Sequence, residues 1–235
     1  MTAGFEDRAD DWIRFARTEG HDAYWRYRHA FFDLLPPPPA RVLEIGCGEG
    51  RVARDLAERG YAVTGLDVAP SLVAAAIEAD PRSTFVVGDA SALPFESGTF
   101  DLVVSYNSLI DVEDMRAVVG EAGRVLRDGG HLCACVPHPF SEAGEFVGAG
   151  SDAPFVVERS YLVESSYELV SDRDGIRFTF ASHRYPLESY SRALEDAGLV
   201  IEALREPPLP GAGEHRRTRV PLFLLWRAAK RGGRA

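Results

Sequence analysis

The chemistry in this sequence is concentrated in an acidic residue, Glu44, followed by glycines at Gly46, Gly48 and Gly50, and in two later carboxylates, Asp67 and Asp89, that each end an apolar run. Glycines at this spacing let a backbone turn tightly and approach a ligand where a Cβ would collide. The carboxylate in front of them selects the ligand's charge. A dinucleotide fingerprint needs its third glycine three residues after the second, so that a helix N-terminus can face a pyrophosphate; that position is Arg51. Glu44 would oppose a pyrophosphate, whereas it suits a ligand with a cationic amino group and a sulfonium. The same turn also has a purely packing explanation, close contact of helix on strand.

Positioning these groups requires strands that end on one rim. Residues 41–45 form an apolar strand, residues 51–59 have helical spacing and stop at Gly60, and residues 61–68 form a second strand ending at Asp67. Residues 84–90 form a third strand ending at Asp89, residues 98–106 a fourth, and residues 121–130 a helix end and turn before a fifth at 131–136. In an open α/β sheet, Asp67 would then be presented to ribose hydroxyls across a neighbouring strand end. Asp67 and Asp89 can each also be read as a helix cap.

The run Glu44-Ile45-Gly46-Cys47-Gly48, with Asp67 and Asp89 behind it in order, resembles the class I S-adenosylmethionine-dependent methyltransferases, of the small-molecule, methyltransferase-11-like type, over residues 41–137. The resemblance implies an α/β fold: a Rossmann-like, doubly wound, seven-stranded sheet, mostly parallel with an antiparallel last strand. It implies S-adenosyl-L-methionine as cofactor, contacted by Glu44, Gly46, Cys47, Gly48, Asp67, Val68, Asp89, Ala90 and Tyr106, with Asp89 reading the adenine amino group. It also implies an N-terminal helical lid at 1–39, a core at 40–137, an inserted hairpin cap at 138–185 and the rest of the core at 186–235, all in one domain.

The length, 235 residues, suits one substantial core. A net charge of −10 argues against general binding to a nucleic-acid backbone. The cluster His215-Arg216-Arg217-Thr218-Arg219 and the tail from Lys230 read as a solvated loop and a terminus, with anion binding at the cluster as the alternative. With neither a signal-like start nor an apolar span of membrane length, the expected location is the cytoplasm. Cys47, Cys133 and Cys135 lack zinc-site spacing and read as buried thiols.

Residues 10–17 and 23–35 look helical, closed by Pro36 to Pro39. In the second, Trp25, Phe32 and Leu35 make a packing stripe, leaving Tyr24, Tyr27, Arg28 and His29 for a ligand or water. After the fifth strand, a Gly- and Ala-rich stretch to Gly150 reads as a mobile lid, order returns near Phe155, and strands at 160–170 and 176–184 flank a turn at Asp172-Arg173-Asp174-Gly175. A helix at 186–197 and strands at 199–205 and 220–226 complete the chain.

A methyl group on sulfonium is already activated, so in-line transfer mainly needs an aligned acceptor, without metal or covalent nucleophile. A base helps when an O–H or protonated amine must lose its proton. His138, at the end of the fifth strand, is the first candidate, with a structural role between two prolines as its alternative; His183 on the hairpin is the second, with cross-strand packing as its alternative. Asn107 and Tyr106 read as positioning groups at the end of the fourth strand. Acceptor contacts are therefore expected from Tyr24, Tyr27, Arg28, Asn107, His138 and His183. Asp111 lies on the same rim or caps the following helix. The expected reaction is methyl transfer to O or N of a small molecule. A protein or RNA methyltransferase and a non-catalytic cofactor-binding regulator are the other readings; the amino-adenine methylase tetrapeptide is replaced by Ser105-Tyr106-Asn107-Ser108.

Overall fold

The computed structural model describes residues 3–173, 176–211, 213 and 215–232. Helices α1 (Ala3–Glu6), α2 (Ala9–Arg17) and α3 (Tyr24–Phe32) precede β1 (Arg41–Ile45), α4 (Arg51–Glu58), β2 (Ala62–Asp67), α5 (Pro70–Ala79) and β3 (Thr84–Val87). Then come β4 (Phe100–Tyr106), α6 (Met115–Val125), β5 (Leu126–Pro137), α7 (Pro139–Glu142), β6 (Gly144–Phe146) and β7 (Phe155–Val157). The chain continues through β8 (Ser165–Arg173), β9 (Ile176–Arg184), α8 (Leu187–Asp196), β10 (Leu199–Arg205), a 3₁₀ turn at Arg216–Thr218 and β11 (Phe223–Lys230).

The main sheet has seven strands in the order β10-β11-β5-β4-β1-β2-β3, and β11 runs antiparallel to both of its neighbours. The other neighbouring pairs are parallel. The chain winds outward from β1 through β2 to β3, then returns to place β4 on the other side of β1. That reversal opens a crevice at the C-terminal ends of β1 and β4, where ligands of open α/β sheets bind.

Alternating residues of the central strands serve two cores. Leu43, Ile45, Leu66, Val103 and Leu132 pack with α6 and α8, while Val42, Val63, Leu102, Val104, Cys133 and Cys135 pack with α3 and α4. Burial on both faces accounts for the continuous apolar runs. Cys47, Cys133 and Cys135 are buried free thiols.

Several local expectations change. α5 was not foreseen; Pro70 starts it and Leu72, Val73 and Ala76 form its buried side. α6 ends at Val125, and Leu126 already belongs to β5, with a register shift opposite Phe100 and Leu102 taking up the glycine turn. The stretch expected to be a lid loop instead carries α7 and β6, and β6 pairs with β7, so the cap contains two hairpins rather than one. Of the turn expected between β8 and β9, Asp174 and Gly175 lie outside the described residues. In α3 the packing stripe is Tyr24, Tyr27 and Phe31, all buried, rather than Trp25, Phe32 and Leu35 alone. Their i, i+3, i+7 spacing makes one continuous helix face, and it meets Tyr106 and Phe223 edge-on at ring separations of 5.1–5.2 Å.

Candidate functional site

A cavity of about 610 Å³ occupies the crevice at the switch point. Glu44, Gly46, Cys47 and Gly48 line it from the end of β1, Asp67 and Val68 from β2, Asp89 and Ala90 from beyond β3, and Tyr106 and Asn107 from β4. These nine expected cofactor positions and Asn107 therefore surround one space.

Glu44 is 2 % exposed, and its Oε2 has no hydrogen-bond partner among the described residues. Burial, with Asp67 nearby, pushes its carboxyl well above the ordinary range, while Arg51 works against the shift. A buried, unsatisfied carboxylate oxygen is costly unless a donor arrives. It thus fits the ammonium or hydroxyl end of a ligand. Asp67 accepts from the Gly48 N–H at 2.8 Å and from the Ala69 N–H at 3.0 Å. Burial raises its pKa, and these backbone donors oppose the rise. Asp89 accepts from the Ser91 N–H and hydroxyl, each at 2.8 Å. Both aspartates are local braces and cavity walls at once, and neither is a helix cap: the N-cap of α5 is Ala69, and Asp89 braces a turn at Ser91.

Gly46 has φ of +71°, and a Cβ there would strike Ser108. Its freedom serves close packing of two loops: Ser108 donates to the Ile45 carbonyl at 2.6 Å and meets the Ser105 hydroxyl at 2.6 Å. Next to it, Asn107 adopts φ of +57° with its N–H bonded to the Cys135 carbonyl at 2.8 Å. Asn is among the few side chains that accept this left-handed region, and such positions gather at functional sites.

The cover comes from the N-terminal helices. Trp12, Phe15 and Tyr24 line the cavity, and Arg51 ties α4 to this cover through Asp22 at 2.5 Å and through the faces of Tyr24 and Trp12 at 4.5 and 5.4 Å. The arginine that stands in place of a dinucleotide glycine is therefore a latch. Glu49, 1 % exposed, accepts from Arg17 and Arg54, each at 2.8 Å.

At the other end the cavity is walled by Ile110, Asp111, Glu142, Tyr167, Ser182 and Phe223. The Ser182 hydroxyl donates to Asp111 at 2.6 Å. Burial pushes the Asp111 carboxyl up to about 7, against the pull of the Ser182 hydrogen bond and with the like charge of Asp67 adding to it. Glu142 lies 3.5 Å from Arg184 and accepts from the Tyr167 hydroxyl, and the Arg184 guanidinium sits 3.7 Å over the Tyr167 ring. Burial raises the Glu142 pKa, and Arg184 lowers it.

Four expected site residues lie elsewhere. Tyr27 is 1 % exposed in the core against Phe223, and Arg28 pairs with Asp55 at 3.2 Å. Tyr24 keeps its ring on the cavity but gives its hydroxyl to Asp55. His138 caps α7, accepting from the Phe140 N–H at 3.1 Å, and its Nε2 faces Glu206 at 2.8 Å. His183 follows Ser182 along a strand, where successive side chains point to opposite faces. Ser182 faces the cavity, so His183 faces a separate shallow depression with Glu113, Glu164 and Tyr185. Asp111 is not the helix cap: Asp114 holds that role, accepting from the Ala117 N–H at 3.0 Å. Nothing local in the sequence marks Glu142, Tyr167 or Ser182. The cluster at 215–219 is a clasp rather than a solvated loop, since Arg216, Arg217 and Arg219 surround the Phe146 ring and Arg217 donates to Ser141 at 2.6 Å.

Residues 43–134 match a family described as a methyltransferase domain. A demethylmenaquinone methyltransferase of Beutenbergia cavernae is 39% identical over 114 residues, 48% of this chain and 47% of that protein, so the chain spans about half of that relative's length. A demethylmenaquinone methyltransferase of Tropheryma whipplei is 28% identical over 210 residues, 85% of this chain and 82% of that protein. Among solved structures, an S-adenosylmethionine-dependent methyltransferase from Mesorhizobium loti superposes with a TM-score of 0.73 at 27% identity, covering 88% of this chain and 98% of the other.

Proposed function

We propose that this chain, which belongs to the class I S-adenosylmethionine-dependent methyltransferases, passes a methyl group to an oxygen or nitrogen of a small-molecule acceptor in the cytoplasm. The observation that carries this reading is one continuous cavity with an unsatisfied Glu44 oxygen at one end and an aromatic, carboxylate-lined chamber at the other. When bound, the cofactor supplies a methyl carbon activated by positive sulfur. Glu44 would accept from its ammonium, Asp67 would face its ribose while holding the Gly48 loop, and Asp89 would meet its adenine edge. Tyr106, Trp12 and Phe15 would keep water from it, and Asn107 lines the same cavity.

A chamber of this size favours a small acceptor, and the relatives named above carry small-molecule acceptors in their names. The net charge of −10 disfavours an RNA surface. Among the described residues, no helix is long and apolar enough to cross a membrane.

Calorimetry should show S-adenosylmethionine binding that Glu44→Gln weakens by about tenfold, the loss of a charge-assisted hydrogen bond. Tritiated cofactor should then label a metabolite extract and leave protein and RNA extracts unlabelled. Absence of cofactor binding sinks the whole reading; label in protein or RNA sinks the small-molecule assignment; binding without any transfer identifies a non-catalytic module.

A further inference from the structure

Two carboxylates wall the acceptor end, and their surroundings differ. Glu142 is faced by Arg184 and the Tyr167 hydroxyl, with Arg217 and Arg159 farther out, so the rise that burial causes in its pKa is opposed by cations and a hydroxyl donor. Asp111 is faced by the Ser182 hydroxyl from β9 and by the charge of Asp67 from β2, and it acts in turn on Tyr167 and Tyr190. Among the described residues no cation sets the ionisation of Asp111. Its backbone is fixed by the turn bond from its N–H to the Ser108 carbonyl at 3.0 Å. Its side chain is half-buried, closed in by protein but open to the cavity. A carboxylate held by a neutral donor, without a counter-charge and open to the acceptor space, has the setting of a general base.

We propose that Asp111, oriented by Ser182, takes the proton from an aromatic hydroxyl of the acceptor as that oxygen receives the methyl group, an inference that rests on the methyltransferase reading above. The O–H pair becomes the new O–CH₃ bond, the proton moves to the Asp111 carboxylate, and the sulfur–methyl bond breaks with its electron pair left on sulfur. The chamber selects an aromatic acceptor through the rings of Tyr106, Tyr167 and Phe223, against which a flat ring can stack or meet edge-on. Proton affinity selects the hydroxyl. A carboxyl raised to about 7 is about 3 units below a phenol at about 10 but about 9 below an aliphatic hydroxyl resembling water at about 15.7.

The test uses the full chain. With S-adenosylhomocysteine bound, ¹³C-aspartate NMR should show a carboxyl titrating near neutrality that disappears in Asp111→Asn and moves to higher pH in Ser182→Ala, because a donor to the charged form is lost. Titration near pH 4, the ordinary carboxylate range, overturns the proposal. Methyl transfer is then measured to catechol and 1-naphthol, with benzyl alcohol and benzylamine as controls. The aromatic hydroxyls should be methylated with kcat rising through the same inflection, and Asp111→Asn should lower kcat by about 10²–10⁴-fold. Ser182→Ala should shift that inflection upward and Ser182→Thr should restore it, whereas a merely structural serine would alter stability and leave the inflection in place. Preference for benzyl alcohol or benzylamine, no transfer to either aromatic hydroxyl, or a nearly unimpaired Asp111→Asn overturns the proposal. Loss of calorimetric cofactor binding by wild type would instead condemn the methyltransferase reading.

Discussion

The two ends of the cavity are built by different means. At the cofactor end, Glu44, Gly46 and Gly48 fall within five consecutive residues, Asp67 ends β2, and Asp89 lies two residues beyond β3, the next parallel strand of the same sheet. At the acceptor end, Asp111 and Ser182 are 71 residues apart and meet only because β9 folds back over the loop after β4, with the His183 N–H bonded to the Ile110 carbonyl at 2.7 Å. The first end is a property of local chain and sheet parity. The second is a property of how an inserted cap docks, so the two should respond differently to mutation.

The largest separation is expected from Gly46→Val. A β-branched residue cannot hold φ of +71° cheaply and its Cβ would strike Ser108, so the loop must move. Cofactor affinity should fall on the order of a hundredfold or more with a lowered melting temperature, from about 3 kcal/mol or more of strain and clash. Retained affinity in calorimetry would mean that the glycine turn does not shape the cofactor end.

Asp67→Ala comes next. It removes the acceptor for two backbone N–H groups as well as the proposed ribose contact. Hydrogen bonds to a charged group contribute about 1.5–3 kcal/mol, so affinity should drop about 10- to 150-fold while the Asp111 titration stays near neutrality. A large shift of that titration would show the two ends to be more strongly coupled than their construction suggests.

Arg51→Ala probes the cover shared by both ends. Loss of the Asp22 pair and of the ring contacts should free α2 and α3 by about 1–2 kcal/mol. Hydrogen exchange in residues 9–32 should accelerate by about 5- to 30-fold, with the central strands unchanged. Equal protection in mutant and wild type would remove the latch from this account.

The smallest effect is expected from His138→Ala. Its ring caps a four-residue helix and meets a surface glutamate, which together contribute about 1 kcal/mol or less. Turnover should remain within about twofold of wild type from pH 6 to 9, because the group is outside the cavity. A tenfold loss of kcat at unchanged stability would return His138 to the reaction.

What the sequence disclosed follows the same division. The strands, the glycine turn and the rim carboxylates were legible because each is encoded by neighbours a few residues apart, and parallel pairing then brings them together without further information. The histidines misled because a residue's position at a strand end says nothing about its partner: Glu206 turns His138 outward, and strand parity turns His183 away while aiming Ser182 inward. Tyr27 is not separable by sequence from a ligand-facing residue because the buried surface of this segment holds the expected Phe32 and Leu35 and extends to Tyr24, Tyr27 and Phe31 as well. Asp111 is legible as a rim carboxylate, but its position also allows a helix cap, a role the structure gives to Asp114. Glu142 and Tyr167 had no local signal, since their setting depends on two hairpins docking against the sheet.

The clasp around Phe146 bears on how the cap is held. Arg216, Arg217 and Arg219 precede β11 by a few residues, a strand held on both sides by β5 and β10, so that part of the cap is tied close to an interior strand of the main sheet. The β8–β9 hairpin is instead met at the start of α2 through an exposed contact, the Arg8 guanidinium donating to the Thr179 carbonyl at 2.9 Å. Three guanidiniums share one ring on the clasp side, so loss of any one leaves two in place, a redundancy that a single surface hydrogen bond lacks.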